Sequence, residues 1–406
     1  MANPSKTLFS GLRILDLTRA VAGPTCTRMF SELGADVIKV EAFPEGDLTR
    51  QVSKIRNERS LYFVQQNLGK KSLCVDLRNP KGLQLVKDLV PLVDVVVQNF
   101  KPGVMASMGM AYDDLKELKQ DIILCSISSL GQTGSLAEKP GYDMIAQSYA
   151  GVTSMVGDPD DAPCFPQLAI GDVSTGVMGA FSVLAALYHR DRTGEGQHLD
   201  VSILDTYYHS HEASVHQYSG SNGKIEPNRT GRHMNYLAPA GVFRANGGYI
   251  TIMSFLHHWK DLCAAMDRPE LAEDERLGND EGRLENLDEV IELIESWLQN
   301  FPDRDTAMDK LDEFGVPAGP VLTIAETVAH PHLRERGTVR TIDDRIAGKF
   351  EIPGLPPKFS KFPDLPEFDA PTLGEHNEEI ITNILGRSDD ELAELRNAGI
   401  LKEKNI

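Results

Sequence analysis

The first 130 residues alternate short apolar runs with segments of helical period, and this alternation limits the possible folds more than any other feature. "LRILDL" (12–17), "ADVIKVE" (35–41), "KSLCVDL" (71–77), "DVVVQNF" (94–100) and "DIILCSISS" (121–129) are rich in branched residues and too short for helices, so they read as buried strands. Between them lie helical stretches. "AGPTCTRMFSELG" has Pro24 in its first turn and Gly34 as its stop, and "NPKGLQLVKDLVPLV" (79–93) carries apolar residues three and four apart. "AYDDLKELK" supplies a short third helix. Such β-α-β units favour parallel strands with right-handed crossovers, and hence an open, Rossmann-like α/β sheet. Ligands of these sheets sit beyond the carboxyl ends of the strands, which directs attention to the loops 18–24, 99–102 and 130–135. A dinucleotide reading of the first loop is weak. The loop is "TRAVAGP" rather than GxGxxG, and Pro24 removes an amide where a pyrophosphate would need one.

A length of 406 residues accommodates two domains. The large α/β domain is expected over 1–205, where "GQHLDVSILD" (196–205) ends the pattern, and to resume at 351–406. Residues 206–227 are polar, aromatic and interrupted by glycine, and read as a linker; 331–350 reads as a second linker. A smaller α+β domain is expected over 228–330. It begins with the hairpin "GVFRANGGYITIM", turning at Asn246-Gly247-Gly248, and continues with amphipathic helices in "LHHWKDLCAAM", "LDEVIELIESWLQN" and "RDTAMDKLDEFG". The stretch 345–375, rich in Pro and Gly, is expected to return across the surface. Ser388 followed by Glu391 predicts a capped final helix.

The formal charge of -19 argues against nucleic acid or an anionic membrane as a main partner. Five scattered cysteines without CxxC spacing suggest reduced thiols in a cytoplasmic protein and no structural zinc site. "MANPSKTLFSG" lacks an apolar signal core, and the longest apolar stretch, near 176–188, is cut by Gly179, Ser182 and Tyr188, so no membrane span is expected.

One acid stands out. In "LAIGDVSTGVMGAFSVLAALYHR" (168–190), Asp172 lies between a glycine and a long apolar run. It suits an N-cap of a helix over 173–190, where the helix terminus favours the anion. The same geometry suits a carboxylate nucleophile on an activated acyl group, with Gly171 leaving one approach open. The residue alone leaves both roles open.

Longer motifs carry more information. "GLRILDLTRAVAGPTCTRMFSELGADVIKVE", "LYFVQQNLGKKSLCVDL", "VVVQNFKPGVMASMG", "SISSLGQTG", "PGYDMIAQ", "GDVSTG", "RTGEGQHLDVSILD", "GVPAGPV" and "LGEH" resemble, in order and nearly end to end, the class III CoA-transferases of the CaiB/BaiF type. That family includes formyl-CoA transferase and carnitine CoA-transferase. The resemblance implies an interlocked homodimer, each chain with a large α/β and a smaller domain, with CoA as substrate carrier and no tightly bound cofactor or metal. It also implies Asp172 as the nucleophile that takes an acyl group from an acyl-CoA as a mixed anhydride, then holds CoA as an aspartyl thioester until a carboxylic acid acceptor collects it. The matched CoA contacts are Ala22 in the first loop, Val75, Asn99 and Phe100 after the fourth strand, Met108 in "SMG" and Tyr142 in "GYD". The pattern departs where formyl-CoA transferase has a histidine, here Arg19, and arginines, here Ala42 and Ser107. Arg19, Lys39 and Arg78 are the candidates to supply positive charge for the phosphates instead. The family's glycine-rich lid is replaced by "TGRHMNYLAPAG", which puts Arg232, His233 and Tyr236 forward as acceptor contacts. Two rival readings remain at this point. Racemases of α-methylacyl-CoA share the fold but use a histidine in "GHD", where this chain has Tyr142 before Asp143. A catalytically idle CoA-binding protein is the other. The acceptor is expected to be a small mono- or dicarboxylate.

Overall fold

The computed structural model describes residues 7–52, 55–254, 257–362 and 367–403. The first six residues of the N-terminal stretch fall outside this range. Internal packing divides the chain into two units, one of Met1–Val152, Gln167–Glu212 and His332–Ile406, the other of Thr153–Pro166 and Ala213–Pro331.

The larger unit is built on six strands, β1 (Arg13–Leu17), β2 (Asp36–Ala42), β3 (Lys70–Val75), β4 (Val95–Gln98), β5 (Ile123–Ser128) and β6 (His198–Ser202). They pair in the order β3-β2-β1-β4-β5-β6, all parallel, with Leu15 opposite both Ile38 and Val96. This is the doubly wound Rossmann order, in which the strand order reverses between β1 and β4. β6 lies within 196–205, a stretch with no clear strand period of its own. The helices are α1 (Ala22–Ser31), α2 (Leu61–Asn67), α3 (Pro80–Leu89), α4 (Val104–Ser107), α5 (Tyr112–Leu118), α6 (Asp143–Tyr149), α7 (Ile170–Thr193) and α8 (Ile203–His209).

Side chains alternate across a strand, so each strand feeds two cores. On one face Leu15, Ile38, Leu73, Val96 and Leu124 pack with Leu85, Val86 and Leu89 of α3 and with Ile380, Ile381 and Leu392 from the C-terminal region. On the other, Ile14, Val37, Val95, Val97, Ile123 and Ile127 pack with Cys26 and Phe30 of α1 and Ala180, Val183 and Ala186 of α7. Burying each such side chain contributes about 1.5–3 kcal/mol. The closing helix Asp389–Asn397 has the anticipated capping box between Ser388 and Glu391.

Two stretches differ from the sequence reading. Residues 206–227 contain the end of α8 and the helix Ser214–Gly220. The 345–375 region is only partly superficial: strands Val339–Asp344 and Gly348–Pro353 form a hairpin whose Ile342, Phe350 and Ile352 cluster with Phe63, Val64, Leu68 and Ala370. Apolar alternation within that hairpin outweighs its proline content.

The smaller unit holds a three-stranded sheet of Ala240–Ala245, Gly248–Met253 and Ala318–Pro320. Gly248 pairs with Ala245, leaving the two-residue turn Asn246-Gly247. Phe243, Ile250, Trp259, Leu262, Ile294, Leu298 and Leu311 form its core.

Candidate active site

A cavity of about 370 Å³ opens beyond the carboxyl ends of β1, β4 and β5, at the point where the strand order reverses. Its wall comes from Arg19, Ala20, Val21 and Ala22 after β1, Asn99, Phe100 and Lys101 after β4, Ser128 and Ser129 at β5, and Lys139 to Tyr142 before α6. Asp172 is part of the same wall. A second cavity of about 360 Å³ lies around Arg50, Arg59 and Phe63, but both arginines are already paired, with Glu41 and Asp344.

The first loop is held by buried side chains. Asp16 accepts hydrogen bonds from the Thr18 amide at 2.9 Å and the Thr27 hydroxyl at 2.7 Å, and pairs with Lys70 at 3.1 Å. Lys39 donates to the Thr18 carbonyl at 2.8 Å and pairs with Asp47 at 2.9 Å. Asp47 in turn accepts from the Ala20 amide at 3.3 Å. The Asn99 side chain grips Arg19 at both ends, donating to its carbonyl at 2.7 Å and accepting from its amide at 2.9 Å. These anchors hold Ala20 at φ +67°, a conformation unfavourable for a residue with a Cβ.

Asp172 sits in the first turn of α7 but is not its cap. The helix begins at Ile170, so Ala169 is the N-cap and Asp172 the third helical residue. The Ala169 side chain makes no capping bond. Instead, the Asp172 amide donates to Asp143 Oδ2 at 2.7 Å. The other Asp143 oxygen accepts from the Tyr207 hydroxyl at 2.7 Å. Gly171 permits this approach, because a Cβ there would fall 2.1 Å from the Tyr207 ring.

A helix N-terminus favours the anion, but burial, and then the Asp143 charge, work the other way and push Asp172 up to about 7. Asp172 is therefore poised between acid and carboxylate near neutrality rather than held ionised. The fold binds this proton more tightly than the unfolded chain, whose aspartate titrates near 3.8. Asp172 thus costs stability as pH rises from about 4 through 7. Asp172→Asn, which cannot ionise, is expected to be more stable than the wild type at pH 8 by about 1–3 kcal/mol, the gain shrinking toward pH 4. Denaturant unfolding at the two pH values checks this; a gain independent of pH contradicts it.

Of the residues singled out from sequence, Asp172, Arg19, Ala22, Asn99, Phe100 and Tyr142 line the cavity. Lys39 does not; it is fully buried beneath the first loop. Val75 is buried at the end of β3, Met108 packs against the sheet core beside α4, and Arg78 is exposed and paired with Asp76 at 3.0 Å. In the smaller unit, Arg232 is engaged by Glu295 at 2.9 Å, and His233 packs edge-on against Phe243. Sequence reasoning missed Lys101 and Lys139, two cations in the wall, although the first lies within one quoted motif and the second flanks another. It also missed the tie between Asp143 and Tyr207, for which the sequence carries no signal.

Comparison with known proteins shows the family. The model of CoA-transferase family III matches residues 9–377. The succinyl-CoA–D-citramalate CoA-transferase of Chloroflexus aurantiacus is 34% identical over 388 residues, covering 95% of this chain and 96% of the relative. The succinyl-CoA:mesaconate CoA-transferase of Haloarcula hispanica is 37% identical over 381 residues, covering 91% and 94%. A crystal structure of a CaiB/BaiF family protein from Brucella suis superposes with a TM-score of 0.83 at 33% identity, covering 93% of this chain and 100% of the other. The chain is an α/β enzyme that uses CoA as its carrier, and it belongs to CoA-transferase family III.

Proposed function

We propose that the enzyme moves CoA from succinyl-CoA to a small carboxylic acid through covalent intermediates on Asp172. The observation that carries this is a half-buried carboxylate, poised near neutrality, in the wall of a cavity that also presents Arg19, Lys101 and Lys139. In a protein of net charge -19, three cations around one cavity suit a phosphate-bearing, carboxylated substrate.

Asp172 Oδ attacks the thioester carbonyl; the C–S bond breaks and CoA leaves as thiolate, giving a mixed anhydride. The thiolate attacks the Asp172 carbonyl carbon and expels succinate, leaving an aspartyl-CoA thioester. The acceptor carboxylate attacks that thioester and releases the thiolate again. Thiolate attack on the acceptor's acyl carbon then frees the Asp172 carboxylate and the new acyl-CoA. Asn99, Phe100, Ala22 and Tyr142 surround the thioester end. The nucleotide end runs along the carboxyl edge of the sheet toward Val75, Arg78 and Met108, and Lys39 supports this path from beneath the first loop. The donor assignment draws on the citramalate and mesaconate relatives, both named for succinyl-CoA.

Treatment with succinyl-CoA followed by hydroxylamine is expected to leave a hydroxamate on Asp172, read by peptide mass spectrometry. Bound CoA with an unmodified Asp172 overturns the reading and favours an idle CoA-binding protein.

The working form in this reading is a homodimer in a reducing cytoplasm. One stripe of α7, Ile170, Val173, Val177, Phe181, Leu184 and Tyr188, stands 40–65% exposed. By length and composition α7 could cross a membrane, but its opposite face packs on α1 and the sheet, with Gly176 against Thr25 and Gly179 against Ile127. An apolar stripe of this length calls for a partner surface, and a second copy supplies one. Phe181→Asp is expected to convert dimer to monomer by light scattering; a monomeric wild type, or an unchanged dimer in the variant, counts against it.

A further inference from the structure

Bonded to the backbone of Asp172 is a second carboxylate that the proposed reaction leaves without a role. Asp143 accepts two hydrogen bonds, one at each oxygen, from the Tyr207 hydroxyl and the Asp172 amide, both at 2.7 Å. Both partners donate, so Asp143 plays the acceptor-only part of an ionised carboxylate. Tyr207 is itself buried, and burial, together with its bond to Asp143, pushes its phenol up, so it remains a donor throughout the working range. Three elements meet here: α6 brings Asp143, α7 Asp172 and α8 Tyr207. Gly171, lacking a Cβ, lets the tyrosine ring lie against the start of α7.

Resting on the reading of Asp172 as nucleophile, we propose that Tyr207 is a positioning residue for acyl transfer: its hydroxyl fixes Asp143 beside Asp172, so that the Asp143 charge disfavours the free Asp172 carboxylate relative to its acylated form. The physical basis is a difference in charge. Free Asp172 is an anion next to another anion, whereas the anhydride and the thioester are both neutral at that carbon. Repulsion between like charges in a half-buried site is therefore relieved when the acyl group is taken up. It reappears when the carboxylate is regenerated, so the effect steadies the intermediates without consuming any reagent. Of the other groups around Asp172, Tyr62 on α2 is half-buried and shifted upward by burial and then by the Asp172 and Asp47 charges. Arg19, Lys101 and Lys139 lie in the surrounding wall, and Lys139 is engaged by the Tyr149 hydroxyl at 2.7 Å. None of these is joined to Asp143 by a described hydrogen bond; Tyr207 is.

Tyr207→Phe keeps the ring against Gly171 and removes only the hydroxyl. Adduct formation on Asp172 from succinyl-CoA, followed by rapid quench and mass spectrometry across pH, is the readout. Without its fixed donor, Asp143 turns away, and the Asp172 carboxylate forms more easily. The midpoint of the acid limb is expected to move down by about one pH unit, and the fraction acylated at equilibrium to fall. Asp143→Asn removes the charge directly and is expected to produce the same shift, with the double variant adding nothing further, since both act through one contact. An unmoved midpoint in Tyr207→Phe overturns the proposal, as does additivity in the double variant. Absence of any adduct in the wild type is a separate result: it removes the nucleophile reading on which this one stands.

Discussion

Asp172→Ala is expected to take CoA exchange to the assay floor, a loss on the order of 10⁴-fold or more, while acyl-CoA still binds. The size of this loss follows from the chemistry. Every intermediate in the proposed cycle is a covalent derivative of one carboxylate, and among the described residues of the cavity wall Asp172 is the only carboxylate. Asp143 cannot replace it, because both of its oxygens are already taken by Tyr207 and the Asp172 amide. Binding is expected to survive because the first loop is built by Asp16, Lys39, Asp47 and Asn99, none of which touches Asp172 through a described hydrogen bond. Asp172→Asn is expected to behave alike. Retained turnover in the alanine variant rejects the mechanism; lost affinity for acyl-CoA would instead give Asp172 a part in building the pocket.

Lys39→Met is expected to cost stability on the order of 3–5 kcal/mol, the second large effect. Lys39 is fully buried, donates to the Thr18 carbonyl and pairs with Asp47, with Asp16 and Glu41 close enough to act on its charge. Burial disfavours its ammonium, but Asp47, Asp16 and Glu41 outweigh that, and the group is shifted upward. Removing it leaves buried carboxylates uncompensated, and denaturant unfolding measures the cost. The variant also separates two roles for this residue. A lysine that bound a CoA phosphate directly would raise KM at unchanged stability. One that holds the first loop from below raises KM only together with lost stability. Unchanged stability with a raised KM would rule out the supporting role.

Several features were readable in the residues themselves. The short apolar runs located five of the six strands, because a strand buried on both faces must be apolar nearly throughout. Ser388 and Glu391 marked the last helix because a capping box is a contact between near neighbours. The loops after β1 and β4 were assigned to the site from strand alternation alone, since parallel sheets bind ligands at their carboxyl ends. Asp172 emerged from its motif, but its setting did not. Helical period does not determine whether a helix starts at residue 170 or 173, and that difference of one turn separates a cap from an uncapped third residue whose amide reaches Asp143.

What the sequence determined by itself is therefore the layered α/β plan and the position of the carboxylate proposed as nucleophile, because both follow from local pattern and local motif. Only the tertiary structure decided which charges are buried and which face the substrate. Lys39 and Arg78 are both basic residues near strand ends, yet one is enclosed beneath a loop and the other stands in solvent. Asp143 and Tyr207 lie 29 and 35 residues from Asp172 and meet it only because three helices converge on one end of the sheet. The physical reason is that the ionisation of a carboxylate depends on its solvation and on the charges within a few ångströms of it, and both are set by residues remote in the chain.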